Sequence, residues 1–167
     1  MKNKPVIVGI GELLWDMLPS GKKAGGAPVN FVYHASLLGA ESYAISAIGK
    51  DALGDEILQE LDKIKLSYFI ERVDYPTGTV LVQLKEGIPN YTIIENVAWD
   101  YIPATDEVKQ LARRTDAICF GTLAQRSAVS RSTIHEILSL VPQSAYRILD
   151  INIRQHFYSK QIIEESL

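Results

Sequence analysis

The chain has 167 residues, a hydrophobic fraction of 47%, a charged fraction of 22% and a formal net charge of −3. A chain of this length can bury roughly 70 per cent of its extended surface, which is enough for one globular domain with a substantial core. The weak negative charge, with no stretch that interleaves Lys or Arg with aromatic residues, argues against a nucleic-acid partner.

Cysteine usage and apolar run length indicate a cytoplasmic protein. The chain has a single cysteine, Cys119, so no disulfide bond can form within one chain. This fits a reducing compartment. The first apolar run, residues 6–10, is too short for a signal-peptide core or a membrane span, and no later run is long enough either. We therefore expect a cytoplasmic location and no membrane association.

The first third of the chain alternates strand and helix patterns. Residues 6–10 form a continuous apolar run, typical of a strand buried on both faces of a parallel sheet. A helix is predicted over residues 28–38, because a proline suits its first turn and a glycine follows its end. Residues 42–48 return as a strand, and residues 51–64 follow as an amphipathic helix that is acidic early and basic late.

Two segments, which we call the lid segments, interrupt this alternation: residues 12–26 and residues 76–97. The first is a short polar excursion between strand and helix. The second holds two strand-like runs, 79–84 and 91–94, around a turn at Glu86–Gly87. Neither segment belongs in a parallel sheet, so we expect a small antiparallel lid that covers whatever binds at the strand ends.

The alternation resumes after residue 103, with helix, strand, helix and strand predicted over 106–113, 117–120, 132–141 and 147–151. Strands separated by helices indicate an α/β fold with three layers and a doubly wound, mostly parallel sheet. Residues 159–167 open another helix, but no further strand follows for that crossover to reach. We therefore expect residues 1–167 to be the N-terminal part of one domain, truncated before its C-terminal half. The alternative is a final helix that packs back on the sheet.

Several familiar site motifs are absent. Gly49–Lys50 does not belong to a phosphate loop, because Asp51 and Ala44 occupy the Ser/Thr and leading Gly positions of G-x-x-x-x-G-K-[ST]. Leu14 occupies the third glycine position of a dinucleotide fingerprint. The three histidines lack ligand spacing, and no G-x-S-x-G elbow is present. Metalloenzyme, hydrolase and dehydrogenase functions are therefore disfavoured, and no metal site is predicted.

Residues 25–30, G-G-A-P-V-N, combine a flexible turn with the start of a helix. The two glycines allow close backbone approach, and the free N–H groups of the first helical turn face the gap. Asn30 lies in that turn, where its amide can both donate to and accept from a polyol. The alternative is that the glycines only form a tight turn.

Asp16 follows closely on the first strand, at the position where open α/β sheets bind ligands. Its carboxylate can accept hydrogen bonds from two adjacent hydroxyl groups. Such a site discriminates against an analogue that lacks one hydroxyl, because the carboxylate is then left unpaired. The alternative is a solvated loop residue or a helix cap.

Several short motifs occur in a fixed order along almost the whole chain: Gly11–Glu12 with Asp16, then residues 25–30, 39–40, 49–54, 76–79, 91–93, 97–100, 121–126 and 150–158. In this order they resemble the N-terminal signature region of the ribokinase-like (PfkB) sugar kinases, and within that family they are most similar to the fructokinase branch. The ordered set is far more specific than any one of its members.

The resemblance implies a ribokinase-like fold and the sugar-binding half of an ATP-dependent carbohydrate kinase, with fructose the first substrate to test. It implies that the sugar hydroxyl groups are held by Asp16, Gly25, Gly26 and Asn30. Arg154, in a D-x-N-x-R strand end, is implied to contact the sugar or the transferred phosphoryl group. The further residues implied to line the cleft or the lid above it are Asn152, Gln125, Arg126, Thr79 and Tyr91.

The same resemblance implies ATP and Mg²⁺ as cofactors of the complete enzyme and leaves open a homodimer that forms through the β lid. For Asn152 and Arg154 the alternative is an exposed loop pair after a strand. His156 and Cys119 are interpreted as structural residues.

One part of the family pattern is missing. The chain has no counterpart of the G-A-G-D segment, which supplies the catalytic base and an anion hole, nor of the adenine pocket or the N-x-x-E motif. General-base help is worth about 10²- to 10⁴-fold, and charge stabilisation is usually worth more. We therefore expect no catalytic residue in this chain, and no activity from the 167 residues alone.

Three alternatives stay open at this stage. A 2-keto-3-deoxygluconate, ribose or nucleoside kinase has the same fold, and a few pocket side chains decide the substrate. A truncated sugar-binding or dimerisation module would perform no chemistry. A nicotinamide-binding domain is disfavoured by Leu14.

Overall fold

The computed structural model describes residues 4–85 and 88–167. The described residues form nine strands and five α-helices. In chain order these are β1 (Val6–Ile10), β2 (Leu14–Leu18), β3 (Gly21–Gly25), α1 (Ala27–Leu37), β4 (Glu41–Gly49), α2 (Ala52–Lys63), β5 (Ser67–Val73), β6 (Gly78–Lys85), β7 (Ile88–Ile93), α3 (Asp106–Ala112), β8 (Ala117–Gly121), α4 (Ala128–Leu140), β9 (Tyr146–Asp150) and α5 (Lys160–Ser166). Two 3₁₀ turns cover Ala98–Tyr101 and Leu123–Arg126. The predicted turn at Glu86–Gly87 lies outside the described residues.

Five strands form the main sheet in the order β5-β4-β1-β8-β9, and all four pairs are parallel. β1 lies at the centre, where Val8 and Ile10 are fully enclosed, as its apolar run predicts. The predicted doubly wound α/β fold is therefore confirmed. Strand β5 was not predicted, because it forms the sheet edge and its sequence mixes apolar residues with the exposed Glu71 and Arg72.

Helices cover both faces of the main sheet. Apolar side chains of α1 and α2 pack with β4 in one core cluster, and those of α3 and α4 pack with β8 in another. Helix α2 is capped by Asp51, whose Oδ1 accepts from the Gly54 N–H at 2.8 Å. Helix α4 begins one turn earlier than predicted, because Ser127 acts as its cap and accepts from the Val129 N–H.

The two lid segments contribute a second, four-stranded sheet in the order β3-β2-β6-β7, which we call the lid sheet. Its outer pairs, β2 with β3 and β6 with β7, are antiparallel, but its central pair, β2 with β6, is parallel. The lid sheet is therefore mixed, where the sequence led us to expect an antiparallel one. β2 follows β1 in the chain, and β6 follows β5. Because β1 and β5 are parallel and end at the same edge of the main sheet, β2 and β6 leave that edge in the same direction.

The lid sheet is packed onto the body of the protein. Val80, Val82 and Ile93 are buried in the same cluster as Trp99 of the first 3₁₀ turn. On the other side, the Trp15 indole Nε1 donates to the Leu53 carbonyl oxygen of α2 at 2.9 Å. These contacts place β2 and β6 directly above the carboxyl ends of the main strands.

The last helix, α5, is short and packs on the body through Ile162 and Ser166. The Gln125 amide donates to the Ser166 hydroxyl group at 2.9 Å, and Ser159 caps the helix. The prediction of a helix after β9 is confirmed. Within the described part of the chain, no helix is both long and apolar enough to cross a membrane.

Candidate functional site

The candidate site lies where the strand order of the main sheet reverses. The chain moves from β1 to β4 on one side and from β8 to β9 on the other, so the crevice between β1 and β8 is the expected ligand position. Gly11, after β1, lies at this crevice. A Cβ atom on Gly11 would be 2.8 Å from Pro28 Cγ and 3.4 Å from Ala124 Cβ. The start of α1 and the second 3₁₀ turn therefore meet over the end of β1.

Gly26 forms the turn that leads into α1. Its φ angle of 131° favours glycine, and a Cβ atom there would collide with the carbonyl oxygen of Glu12. Helix α1 begins at the next residue, and Pro28 in its first turn has no N–H, so a role of the remaining N–H groups in ligand binding stays a prediction. Because the close contact with Glu12 requires glycine by itself, the presence of Gly26 is not on its own a sign of a ligand.

Asp16 and Asn30 each lie near Gly25 of this turn. Asp16, on β2, is half-buried; burial raises the pKa of its carboxyl group and the nearby Lys23 opposes that rise. Its Oδ2 lies 2.9 Å from the position that a Cβ atom on Gly25 would take. Asn30 is exposed and, together with Gly25, lines a cavity of about 400 Å³ between β3, α1 and α2. Asp16 is not among the residues that line this cavity, so a joint grip on one sugar by Asp16 and Asn30 stays a prediction.

Glu12 is a residue whose role the sequence reasoning missed. Its side chain is buried, and its Oε1 accepts from the Ala27 N–H at 3.1 Å. Burial raises the pKa of the Glu12 carboxyl group to about 7. The Gly11–Glu12 pair immediately after a buried strand was the available signal, but a sequence pattern does not reveal that a carboxyl group is enclosed.

Arg126 and Gln125 make their described contacts inside the protein. Arg126 forms a buried ion pair with Asp100, with Nε–Oδ1 and Nη2–Oδ2 distances of 2.8 Å. Its guanidinium group lies between the rings of Trp99 and Phe157, 3.9 and 4.5 Å from their centroids. Gln125 is fully buried, and its Nε2 donates to the Gly121 carbonyl oxygen. That these two side chains line a substrate cleft stays a prediction.

Asn152 and Arg154 lie in the loop after β9. The Asn152 N–H donates to Thr122 Oγ1 at 3.0 Å, which ties the loop to the end of β8. Arg154 is exposed, and its Nε donates to Asn152 Oδ1 at 3.1 Å. The same loop reaches the lid sheet, because Gln155 Oε1 accepts from the Ile93 N–H at 3.1 Å. The loop therefore connects the strand-end crevice with the last strand of the lid sheet.

The two lid residues implied by the resemblance occupy different environments. Thr79, on β6, is half-buried, and its carbonyl oxygen accepts from the Ile94 N–H at 3.1 Å. Tyr91, on β7, is exposed. A second cavity, of about 430 Å³, lies where the end of the lid sheet, Arg126 and the loop after β9 meet, with Glu95 and His156 in its wall. Each of these two cavities is large enough for a sugar.

Comparison with known proteins decides the family. The model of the pfkB family of carbohydrate kinases matches residues 20–167. The chain belongs to the PfkB family of carbohydrate kinases. The predicted family and fold are therefore both confirmed.

This PfkB chain is 27% identical to an uncharacterized sugar kinase from Pyrococcus horikoshii, over 97% of the chain and 58% of the relative. It is 30% identical to an ATP-dependent 6-phosphofructokinase from Thermoanaerobacterium thermosaccharolyticum, over 79% of the chain and 44% of the relative. A fructokinase from Salmonella typhimurium is 25% identical over 92% of the chain and 53% of the relative. The chain thus spans about half the length of these curated relatives.

Solved structures agree with this assignment. The P. horikoshii kinase superimposes with a TM-score of 0.82 over 96% of this PfkB chain and 57% of its own, and it has also been solved in complex with ATP. A fructokinase from Halothermothrix orenii, 20% identical, reaches the same TM-score over 95% of this chain and 63% of its own. At that identity the likeness supports the fold alone.

Proposed function

We propose that this chain is the sugar-binding part of an ATP-dependent carbohydrate kinase, whose complete form transfers a phosphoryl group from ATP to a hydroxymethyl group of a sugar. The observation that carries the proposal is the family match over residues 20–167, and it is supported by a glycine turn that packs against Glu12, just after β1. Relatives named fructokinase and 6-phosphofructokinase favour a fructose-type acceptor.

In this proposal the glycine turn and its neighbours form one side of the sugar site. Asp16 accepts hydrogen bonds from sugar hydroxyl groups, Asn30 both donates and accepts, and the backbone at Gly25 and Gly26 permits close approach. Arg154, in the loop after β9, is exposed and donates to Asn152 Oδ1, and in this proposal its side chain turns toward the bound sugar. A guanidinium group there can neutralise charge on a sugar phosphate or a transferred phosphoryl group.

ATP and Mg²⁺ belong to the proposal for the complete enzyme. ATP binding by the P. horikoshii relative supports ATP as the phosphoryl donor. That this chain itself supplies no metal ligand stays a prediction. A cytoplasmic location and a homodimer through the lid sheet also stay predictions.

Sugar binding to the 167-residue chain tests the proposal. We expect weak binding of fructose by calorimetry or NMR, and an affinity at least about tenfold lower for Asp16→Asn, because hydrogen bonds to charged groups are the stronger ones. Asp74→Asn changes an exposed carboxylate that pairs with Lys50 and is the matched control. A panel of fructose, fructose 6-phosphate, ribose and 2-keto-3-deoxygluconate in which nothing binds would contradict the proposal.

A coupled kinase assay tests the catalytic part. A protein of the relatives' full length, containing this chain, is expected to phosphorylate a sugar with ATP, and the 167 residues alone are expected to show no turnover. Turnover by the 167-residue chain at an ordinary kinase rate would show that the catalytic base lies within it. A full-length protein that binds sugar without turnover would favour a non-catalytic sugar-binding module.

A further inference from the structure

Among the described residues, four buried side-chain polar atoms lack a hydrogen-bond partner: Glu12 Oε2, Ser42 Oγ, Trp99 Nε1 and Arg126 Nη1. Three of them gather at the carboxyl end of the main sheet. Arg126 stacks on Trp99, and its positive charge lowers the pKa of Glu12 against the effect of burial. Buried polar atoms are costly to leave unpaired. These two donors and one acceptor therefore call for an explanation in terms of function.

Glu12 contacts the glycine turn twice. Its main-chain carbonyl oxygen lies against Gly26, so closely that no side chain fits there. Its side-chain Oε1 accepts from the Ala27 N–H, the first free donor of the 11-residue helix α1. Its other oxygen, Oε2, is enclosed and unpartnered in a side chain that is 2% exposed. The carboxyl group is therefore placed to hold the turn and the helix start together.

We propose that Glu12 is a positioning residue: through its bond to the Ala27 N–H it holds the Gly25–Gly26 turn and the first turn of α1 in the arrangement that sugar binding needs, and it does so more tightly when it is ionised. The proposal rests on the proposed function for its effect on sugar, but the positioning itself can be observed without any ligand.

The charges around Glu12 make this contact sensitive to pH. Burial is the main reason that the pKa of the carboxyl group rises to about 7; Asp150 at the end of β9 adds to the rise, and the Ala27 N–H and Arg126 oppose it. Cys119 on β8 stays a neutral thiol, because burial first, and then Asp150 and Glu12, raise its pKa to about 12. An ionised carboxylate accepts a stronger hydrogen bond and interacts favourably with the amino end of a helix. The turn should therefore be held more firmly above pH 7 than below it.

NMR titration of the ¹⁵N-labelled 167-residue chain between pH 5.5 and 8.5 tests the positioning. We expect the amide signals of Gly25, Gly26 and Ala27 to shift together with a midpoint near 7 in the wild type. Glu12→Gln, which keeps the Oε1 acceptor but cannot ionise, should abolish this shift. A wild-type Ala27 signal that does not titrate between pH 6 and 8 would overturn the proposal, as would a shift that persists in Glu12→Gln.

Two control variants test whether the shift depends on Glu12 alone. His34 on α1 lines the cavity beside Gly25, so His34→Gln must keep the midpoint near 7 if Glu12 is its source. Glu71→Gln removes an exposed carboxyl group on β5 and should leave all three signals unchanged. If Glu12→Gln does not fold, the wild type and His34→Gln still decide: a shift that is lost in His34→Gln assigns the titration to the histidine and overturns the proposal.

Fructose titration at pH 6 and pH 8 tests the consequence for binding. The affinity of the wild type should rise by about threefold or more toward pH 8, the size of a single hydrogen-bond change, and that of Glu12→Gln should not depend on pH. Equal pH dependence in both proteins would overturn the proposal. If no sugar binds at either pH, the proposed function fails, whereas the amide titration still decides the role of Glu12.

Discussion

Gly26 and Gly39 both have positive φ angles, 131° and 92°, but differ in their surroundings. A Cβ atom on Gly39 would meet nothing within 4 Å, whereas one on Gly26 would collide with the Glu12 backbone. We expect Gly39→Ala to lower the free energy of unfolding by about 1–2 kcal/mol, the cost of the backbone conformation. Gly26→Ala should cost about 3 kcal/mol or more, because the backbone must also shift. Urea unfolding of both variants checks this, and equal costs would contradict the packing at Gly26.

Glu12 should also make the stability of the folded chain depend on pH. Its folded pKa of about 7 lies above the ordinary value of 4.5, so its contribution is complete below pH 4.5 and is lost as pH rises to 7. The loss amounts to about 3 kcal/mol, because the bond to the Ala27 N–H, although stronger for the carboxylate, offsets only part of the cost of burying its charge. Over this range the free energy of unfolding of Glu12→Gln should fall less steeply than that of the wild type. Urea unfolding at pH 5, 6, 7 and 8 measures both slopes, and parallel slopes would show that Glu12 does not titrate there.

At the level of single residues, the sequence was sufficient for the glycine turn but not for the groups around it. The G-G-A-P-V-N run predicted the start of α1, because the requirements of its turn and first helical turn are local. The enclosure of Glu12 and the stacking of Arg126 between Trp99 and Phe157 depend on segments far apart in the chain. No local pattern could reveal them.

At the level of the elements, Asp51 shows how two separate motifs act as one. It caps α2 through the Gly54 N–H and also accepts from the Thr77 N–H and hydroxyl group, at 2.8 and 2.7 Å. Burial raises the pKa of Asp51, but these hydrogen bonds outweigh burial and lower it overall. The start of α2 and the entry to β6 are therefore held by a single carboxylate.

Arg126 should fasten the lid sheet to the body. It donates to the Ile94 carbonyl oxygen at 2.7 Å, just after β7, and pairs with Asp100. We expect Arg126→Met to destabilise the chain by about 3–5 kcal/mol, because Asp100 is left as a buried unpaired charge. Hydrogen exchange should then accelerate more in β6 and β7 than in β1 and β4.

The double variant Arg126→Met with Asp100→Asn is the matched control for this prediction. An asparagine still accepts from the Val97 N–H, as Asp100 Oδ2 does at 3.1 Å, but carries no charge. We therefore expect it to recover part of the lost stability. A double variant that is no more stable than Arg126→Met would contradict the role given to the unpaired charge.

Element prediction succeeded where the pattern was strong. Helices α1, α2 and α3 and the inner strands were predicted close to their observed bounds, because apolar period and end signals agree there. β2 and β3 were interpreted as a polar excursion, since the exposed Lys22 and Lys23 of β3 conceal the buried Leu14 and Trp15 of β2. These two strands form because β2 pairs with β3 and β6, and not because their residues strongly favour the strand conformation.

At the level of the whole molecule, β9 forms one edge of the main sheet in the described part of the chain. Tyr146 and Ile148 on β9, and Ile153 after it, are 76%, 38% and 59% exposed. An exposed, apolar edge strand favours pairing between chains. We expect the 167-residue chain to self-associate as its concentration rises, and Ile148→Lys to weaken that association. Analytical ultracentrifugation measures both.

Two further variants locate the contact. Leu38→Lys changes a residue that is 90% exposed after α1, away from the sheet edge, and should leave the association unchanged. Tyr91→Lys places a charge on the lid sheet instead. Dissociation by Tyr91→Lys but not by Ile148→Lys would contradict an edge contact and favour a dimer through the lid.

The chain passes between the main sheet and the lid sheet four times: from β1 to β2, from β3 to α1, from β5 to β6, and from β7 to the first 3₁₀ turn. A protease that cuts one of these passages leaves three others intact, so the nicked protein should stay in one piece under native conditions. The two sheets also contribute side chains to one core cluster, which adds a packing contact to these four covalent connections. The lid sheet is therefore joined to the body of the protein at four points along the chain.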